Sequence, residues 1–370
     1  MINKKISVLI PDGECPISAR VINCLSEIKE IKIHIISNDE NLYLKHSKYI
    51  SNYSYYPKTD SQIDFIWNIN KEVEKHNIDL IMPVLDDSIR IILKYKNAIT
   101  SAAKLAHLPT NSNFYTAFDK GKLANHLKKH NIPFPKTKII KKNDSYDISE
   151  IPYPVLVKPA IGSGGVGIQV FKEKSEFIEF INSGKFNNIY LAQEYIEGYD
   201  IDCSVLCEKG EIKAYTIQKG NIQGKSGFEP QIGLEFLQDD TLLNVVKILM
   251  KSLNWSGVAH IDMRYDDKTN NFKVIEINPR FWSSVEASLL SGVNFPYLYC
   301  STSLNYDFDI PKYKNMKFMD IWLLLKNIKK NKSYLFKPNF ILNNTSIKYS
   351  VNDPKAMMYK FIQFFLNKIK

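Results

Sequence analysis

Apolar positions along the first hundred residues come in two rhythms. Compact runs, "KISVLI", "IKIHIIS" and "IDLIMPVL", have the length and β-branched content of strands. Between them, "ISARVINCLSEI" and "IDFIWNINKEVEKH" place apolar residues at helical spacing. Strands alternating with helices predict a parallel α/β sheet. "FDKGKLANHLKKHNIPFPKT" predicts a helix closed by a proline-containing exit. From about Ile151 the rhythm changes to short alternating runs, "PVLVKP", "GIQVF", "IDCSVL", "EIKAYTIQ", "GVAHIDMRY" and "FKVIEINPR", which predict an α+β segment rich in hairpins. Near the end, "FMDIWLLLKNIKK" and "KAMMYKFIQFFLNKIK" read as amphipathic helices.

Composition is that of an ordinary globular chain, 44% hydrophobic and 24% charged over 370 residues, long enough for two or three domains. No apolar stretch reaches membrane-spanning length, and the opening "MINKKISVLI" reads as a strand rather than a secretory leader. Five cysteines, odd in number and without zinc-site spacing, fit buried thiols in a reducing cytoplasm. The net charge of +10 is uneven: residues 311–370 hold thirteen lysines, no arginine and two aspartates, so the other 310 residues sum to −1. A basic tail on a near-neutral body argues against a nucleic-acid-binding protein. The tail's lysines and aromatics suit either a helix packed on the body or weak peripheral membrane contact.

Residues 158–167, "KPAIGSGGVG", match G-x-G-x-x-G through Gly162, Gly164 and Gly167. A dinucleotide loop requires a helix after the glycines, with its N-terminus facing the pyrophosphate. Here "IQVFK" comes next, a second strand, so the glycines sit at the tip of a β-hairpin. Such a tip can still fold over phosphate, since backbone N–H groups without Cβ atoms approach oxygens closely. Lys158, at the end of the entering strand, adds an ammonium. A plain flexible turn is the alternative.

The stretch "GVAHIDMRYDDKTNNFKVIEINPRF" carries the most chemistry. Side chains repeat every two residues along a strand, which groups His260, Asp262 and Arg264 on one strand, and Glu276, Asn278 and Arg280 on the next. A turn near Thr269 sets Asp262 opposite Glu276. Facing carboxylates repel unless neutralised, and a hard divalent cation that takes carboxylate, carboxamide and phosphate oxygens would do so. Pairing of these carboxylates with Arg264 or Arg280 is the alternative, and His260 reads as a structural hydrogen-bonder.

Taken in order, "DKGKLANHLKKHNIPFP", "YPVLVKPAIGSGGVGI", "LAQEYIEGYDIDCSVL" and "VAHIDMRYDDKTNNFKVIEINPRFWSSVEAS" resemble the ATP-grasp superfamily from about Leu105 to Tyr306, in its carboxylate–amine ligase and carbamoyl-phosphate-synthase-like branch. The resemblance implies a Rossmann-like domain over 1–104, an ATP-grasp domain over 105–306 with a nucleotide-binding hairpin lobe near 138–196, and a small, helical, basic extension over 307–370. It implies that Lys120 and Lys158 contact nucleotide phosphates, and that Gly162, Ser163, Gly164, Gly165, Val166 and Gly167 cover them. Glu194, Tyr195 and Ile196 would form the adenine hinge. Asp200 takes the ribose position, where the family more often has glutamate. Asp262, Glu276 and Asn278 would bind Mg²⁺, two ions with Mn²⁺ as a substitute, while Arg280 steadies the transferred phosphoryl group.

The implied activity is an ATP-dependent carbon–nitrogen ligase acting on a small carboxylate and an amine, a homodimer being compatible. A non-catalytic ATP-binding module and a carboxylase or formate-using synthetase are the alternatives. Substrate selection falls to the turns "PDGECP" and "PVLDDS" and to "QKGNIQGKSGFEPQIG", where Lys219 and Lys225 suit an acidic group.

Overall fold

The computed structural model describes residues 4–141, 148–162, 164–183, 189–222, 231, 233–330 and 332–369. Its N-terminal unit is the expected parallel sheet, built from β1 (Ile6–Ile10), β2 (Ile31–Ser37), β3 (Ile50–Tyr55), β4 (Leu80–Ile81) and β5 (Lys104–Leu105), in the spatial order β3-β2-β1-β4-β5. Every residue of β1 except Ser7 is buried, because helices cover both faces of a central parallel strand. Those helices include α1 (Pro16–Leu25), entered through a proline in its first turn, and α2 (Gln62–His76), ended by Asn77 in the left-handed conformation. The strand Ile50–Tyr55 escaped the sequence pattern because its residues are only half-buried.

Helices α3 (Asp86–Lys94), α4 (Asn111–Phe118) and α5 (Lys120–Lys129) lead out of this sheet. The run "FDKGKLANHLKKH" forms the single helix α5 as expected, only its first residue, Phe118, belonging to α4. Asp119 separates α4 from α5, its side chain capping α5 by accepting from the N–H groups of Gly121 at 2.8 Å and Lys122 at 3.1 Å.

A four-stranded sheet comes next, β6 (Thr137–Ile140), β7 (Val155–Pro159), β8 (Gln169–Phe171) and β9 (Tyr190–Glu194), ordered β6-β9-β7-β8 and backed by α6 (Lys174–Asn182). Antiparallel pairing of β7 with β8 puts the glycines at a hairpin tip, as their flanking strands predict.

The largest sheet is antiparallel: β10 (Gly198–Glu208), β11 (Glu211–Ile222), β12 (Gly233–Leu237), β13 (Gly257–Asp266), β14 (Asn271–Asn278) and β15 (Met316–Met319), ordered β14-β13-β10-β11-β12-β15. Helix α7 (Asp240–Ser252) covers one face, with Leu242, Val246 and Leu249 buried there. Cys203 and Cys207 lie buried as free thiols on β10, and Cys15, Cys24 and Cys300 are likewise free and buried. Helices α8 (Val285–Ser291) and α9 (Phe295–Ser303) return the chain to the N-terminal unit. There Trp282, Phe295 and Tyr299 join Val8, Val21 and Ile33 in one continuous core.

The C-terminal residues are mostly helical: α10 (Ile321–Lys330), α11 (Pro338–Asn344), α12 (Ile347–Asn352) and α13 (Pro354–Ile369). The segment read as one helix from Phe318 instead begins with β15, which extends the large sheet beside β12. Asp320 separates strand from helix, its carboxylate accepting the Leu323 N–H at 2.8 Å.

Candidate active site

Two sheets contribute to one cleft of about 790 Å³. Leu156, Lys158, Val170 and Gln193 line it from the four-stranded sheet, and Asp200, Asp202, Gln218, Asp262, Glu276 and Asn278 from the large one. The hairpin β13–β14 has the expected register, with His260 opposite Asn278 and Asp262 opposite Glu276. A bulge after Asp262 sets Met263 against Val274, leaving Ile275 as the extra residue, so Ile275 and Glu276 both reach the cleft.

The two carboxylates have opposite surroundings. Burial, then the charges of Glu276 and Asp202, push the Asp262 carboxyl well above its ordinary range. Burial also acts to raise Glu276, but Lys120 and Lys158 outweigh it and hold this carboxyl low. Lys120 sits 3.0 Å from Glu276 and donates to the Gly162 carbonyl at 2.6 Å, linking the glycine flap to the carboxylate hairpin. Its backbone N–H bonds the Ala160 carbonyl at 3.0 Å, so the start of α5 is tied to the end of β7. Lys158 is only 4% exposed, and burial brings its ammonium down to about 8 despite the pull of Glu276.

Asn278 donates to Asp262 at 3.2 Å and accepts from Arg280 at 3.1 Å. Arg280 also donates to its neighbour's carbonyl, Phe281, at 2.7 Å and lies 3.8 Å from Asp86 at the start of α3. Facing carboxylates with a carboxamide oxygen beside them are a hard-donor set, and the raised Asp262 is what two acids show when no cation shares their charge. The residues therefore fit a magnesium ion, although the Asn278 oxygen here accepts from Arg280. A second grouping shares Asp262: ligand atoms of Asp202, His260 and Asp262 lie within 4.8 Å of one another.

The glycine tip is built from left-handed backbone. Gly164, Gly165 and Gly167 have φ of +67°, +76° and +78°, a region that glycine enters freely. Gly162, Gly164, Gly165 and Val166 line the cleft, Gly167 sits at the base against the Pro159 ring, and Ser163 lies outside the described residues.

At the other end, Glu194, Tyr195, Ile196 and Asp200 all line the cleft. Glu194 is engaged by Lys273 at 3.2 Å and by the Lys136 N–H at 3.1 Å. Arg264 ties down the segment expected to form the hinge: it donates to the carbonyls of Ile196 at 2.8 Å and Gly198 at 2.9 Å and also pairs with Asp200. The second Asp200 oxygen accepts from Gln231 at 3.2 Å. The Asp200 carboxylate is thus bound at both oxygens, and the Ile196 carbonyl has a donor.

Sequence reading passed over Arg264's role in the hinge, and over Asp202 and Gln218 altogether. Asp202 alternates with Asp200 and Ser204 along β10 and faces Asp262 across the ladder. Burial and the nearby Asp200 raise it to about 7, and Gln218 donates to it. It lies within the quoted run "LAQEYIEGYDIDCSVL", but only strand pairing brings it to Asp262. His260 behaves as expected of a structural group: its Nδ1 lies 2.9 Å from the Ser204 hydroxyl and its ring stacks on Trp282. Burial and Arg280 hold it neutral, down to about 3.

The turns proposed for substrate selection meet each other. Asp12 accepts the Val84 N–H at 2.5 Å, joining "PDGECP" to "PVLDDS", and Asp86 of the second turn faces Arg280. Lys219 lies 3.4 Å over the Tyr199 ring centre, and Lys225 is outside the described residues.

Comparison with known proteins places these features. The large chain of carbamoyl phosphate synthase from Methanobrevibacter smithii is 24% identical over 271 residues, 67% of this chain and 25% of that protein. A D-alanine--D-alanine ligase from Anaplasma marginale is 23% identical over 188 residues, 46% of this chain and 56% of that one. The chain thus spans a quarter to about half of these curated relatives. Among solved structures, N5-carboxyaminoimidazole synthetase from Staphylococcus aureus, complexed with ADP, shares the fold with a TM-score of 0.70 at 14% identity, over 90% of this chain and 87% of that one. L-amino acid ligase from Bacillus licheniformis aligns with a TM-score of 0.60 at 16% identity, over 84% and 75% of the respective chains. The model of the ATP-grasp domain matches residues 117–284, from just before Lys120 through the glycine hairpin and the β13–β14 carboxylates.

Proposed function

We propose that the protein is an ATP-dependent carboxylate–amine ligase. The observation that carries this reading is the convergence of Asp262, Glu276, Lys120, Lys158 and the glycine flap on a single cleft that Glu194, Tyr195 and Ile196 also line. Such a set has no nucleophilic side chain and much charge, which suits phosphoryl transfer, where the protein positions the partners and offsets charge.

A substrate carboxylate oxygen attacks the γ-phosphorus of ATP, ADP leaves, and an acyl phosphate results. An amine then attacks the acyl carbon and expels phosphate, forming the amide. Asp262, Glu276 and Asn278 would hold magnesium, which would supply charge neutralisation at the phosphates. Lys158, buried and poised near neutrality, binds phosphate oxygens as a desolvated cation. Lys120 exchanges its bond to Glu276 for one to phosphate as the flap closes, and the closed flap excludes water that would hydrolyse the acyl phosphate. Arg280 lies beside the metal ligands, where it meets the transferred phosphoryl group. Tyr195 and Ile196 border the adenine, held in place by Arg264. The turns joined by Asp12 meet Arg280 through Asp86 at 3.8 Å and are candidates for substrate selection.

The test is ADP release on mixing the protein with Mg-ATP and panels of amino acids and sugar acids, alone and with amines, against a Glu276→Ala control. Acid-dependent ADP formation that yields an amide supports the reading. ADP formation triggered by bicarbonate or formate assigns a carboxylase or formate-using synthetase instead. Nucleotide binding without turnover for any acid would make the protein a non-catalytic module.

A further inference from the structure

Far from the cleft, α13 presents an apolar stripe to solvent. Met358, Phe361, Ile362 and Phe365 follow the i, i+3, i+4, i+7 spacing of one helix face and are 53%, 58%, 45% and 60% exposed. The opposite face is committed. Ala356 is buried, Tyr359 stacks on His46 with ring centres 3.5 Å apart, and Gln363 donates to Asp39 at 3.1 Å. Asp353, just before the helix, accepts from the Ser47 hydroxyl and the Lys48 N–H. These contacts orient the helix against the short 3₁₀ turn Tyr43–His46 and fix the stripe outward. All the exposed phenylalanines among the described residues lie in this extension: Phe336, Phe361, Phe364 and Phe365.

We propose that this face of α13 is a docking surface for an anionic lipid bilayer. The choice of occupant rests on charge. Residues 311–370 carry +11, while the rest of the chain sums to −1. Lys45, Lys48 and Lys355 are exposed around the docked end of the helix. The segment's two acids are internally used, Asp353 as above and Asp320 as a helix cap. A second copy meeting this face would set lysine-rich surface against lysine-rich surface. An anionic membrane instead complements the lysines while the stripe enters the boundary between headgroups and acyl chains.

Co-sedimentation of the full-length protein with vesicles tests the proposal. Phosphatidylcholine vesicles are compared with the same vesicles containing about a third phosphatidylglycerol, at low and high salt. Binding to the anionic vesicles alone, weakened by salt, is expected. Phe361→Ser with Phe365→Ser should reduce the bound-to-free ratio by about tenfold or more, as expected from losing two aromatic anchors. Both positions are exposed, so the thermal midpoint stays at the wild-type value. Lys45→Gln, Lys48→Gln and Lys355→Gln together should remove the preference for anionic lipid. Failure of the wild type to bind, equal binding to both vesicle types, or binding unaffected by the serine variant would overturn it. So would a wild-type dimer that the serine variant dissociates without any lipid binding, which would assign the stripe to a copy of the same chain.

Discussion

Replacing Asp262 with asparagine separates two consequences of the same carboxylate. In the free protein Asp262 faces Glu276 across paired strands, and burial together with Glu276 and Asp202 raises its carboxyl well above the ordinary range. A raised carboxyl means that the folded protein holds a proton that the unfolded chain has released. The stability cost therefore grows as pH rises above the unfolded value near 4. Asparagine keeps an oxygen to accept the 3.2 Å bond from Asn278 but cannot ionise. The free variant is thus expected to be more stable than wild type at pH 8, by on the order of 1 kcal/mol for relief of directly opposed like charges. In a chain of this size that is roughly 2 °C in thermal midpoint, and the difference should vanish toward pH 4. With nucleotide the order reverses. Mg-ATP at about 100 times its Kd stabilises the wild type by about 2.7 kcal/mol, and loss of one carboxylate ligand should remove most of that. Differential scanning fluorimetry with and without Mg-ATP at both pH values reads all four numbers. A variant that is less stable when free and keeps the full Mg-ATP shift would refute the metal assignment and the facing-charge argument together.

Three further predictions rest on separate features. Gly198→Ala should be among the most damaging single changes, because a Cβ there would lie 1.9 Å from the Tyr265 carbonyl oxygen at a φ of +146°. Backbone strain of roughly 1–3 kcal/mol comes before the clash itself, so soluble yield or thermal midpoint falls sharply, whereas Gly164→Ala, with nothing within 4 Å of its Cβ, should bear only the backbone strain of its φ of +67° and lose less; equal losses would contradict this. Arg264→Met should raise the KM for ATP by about tenfold with a smaller effect on kcat, since each charged hydrogen bond to the hinge is worth roughly 1.5–3 kcal/mol; an unchanged KM would show that the hinge holds its shape without Arg264. His34 is buried with neither ring nitrogen bonded, and burial and His76 hold it down to about 4. The unfolded chain takes up the proton first as pH falls, so the stability due to neutral His34 is present above about 6.5 and lost between 6.5 and 4. Thermal midpoints across that window should fall less steeply in His34→Phe, and parallel slopes would refute the assignment.

The carboxylate hairpin was legible because its chemistry is local. A polar turn of known length between two alternating strands leaves only one register that buries the apolar set, and this puts Asp262 opposite Glu276. The glycine tip was legible for a similar reason, since the residues just after it alternate like a strand. The hinge was only partly so: "LAQEYIEGYD" marks a strand and a turn, but Arg264, which binds its carbonyls, comes from 68 residues beyond Ile196. Asp202 was invisible, being one acid among many until β10 is laid beside β13. The extension's first strand was hidden because Met316–Met319 is continuous in hydrophobicity with the helix after it.

Residue order alone determined the parallel first sheet, the two hairpins, the free buried cysteines and the uneven charge, all properties of period and composition within a few dozen residues. Only the tertiary structure decided that the carbonyls of Ile196 and Gly198 are held by Arg264, that Lys120 bridges Gly162 and Glu276, and that α13 turns its phenylalanines outward. Each depends on contacts between segments distant in sequence. Hydrophobic period states which face of a helix is apolar, but the direction that face points is set by whatever the rest of the surface offers to pack against it.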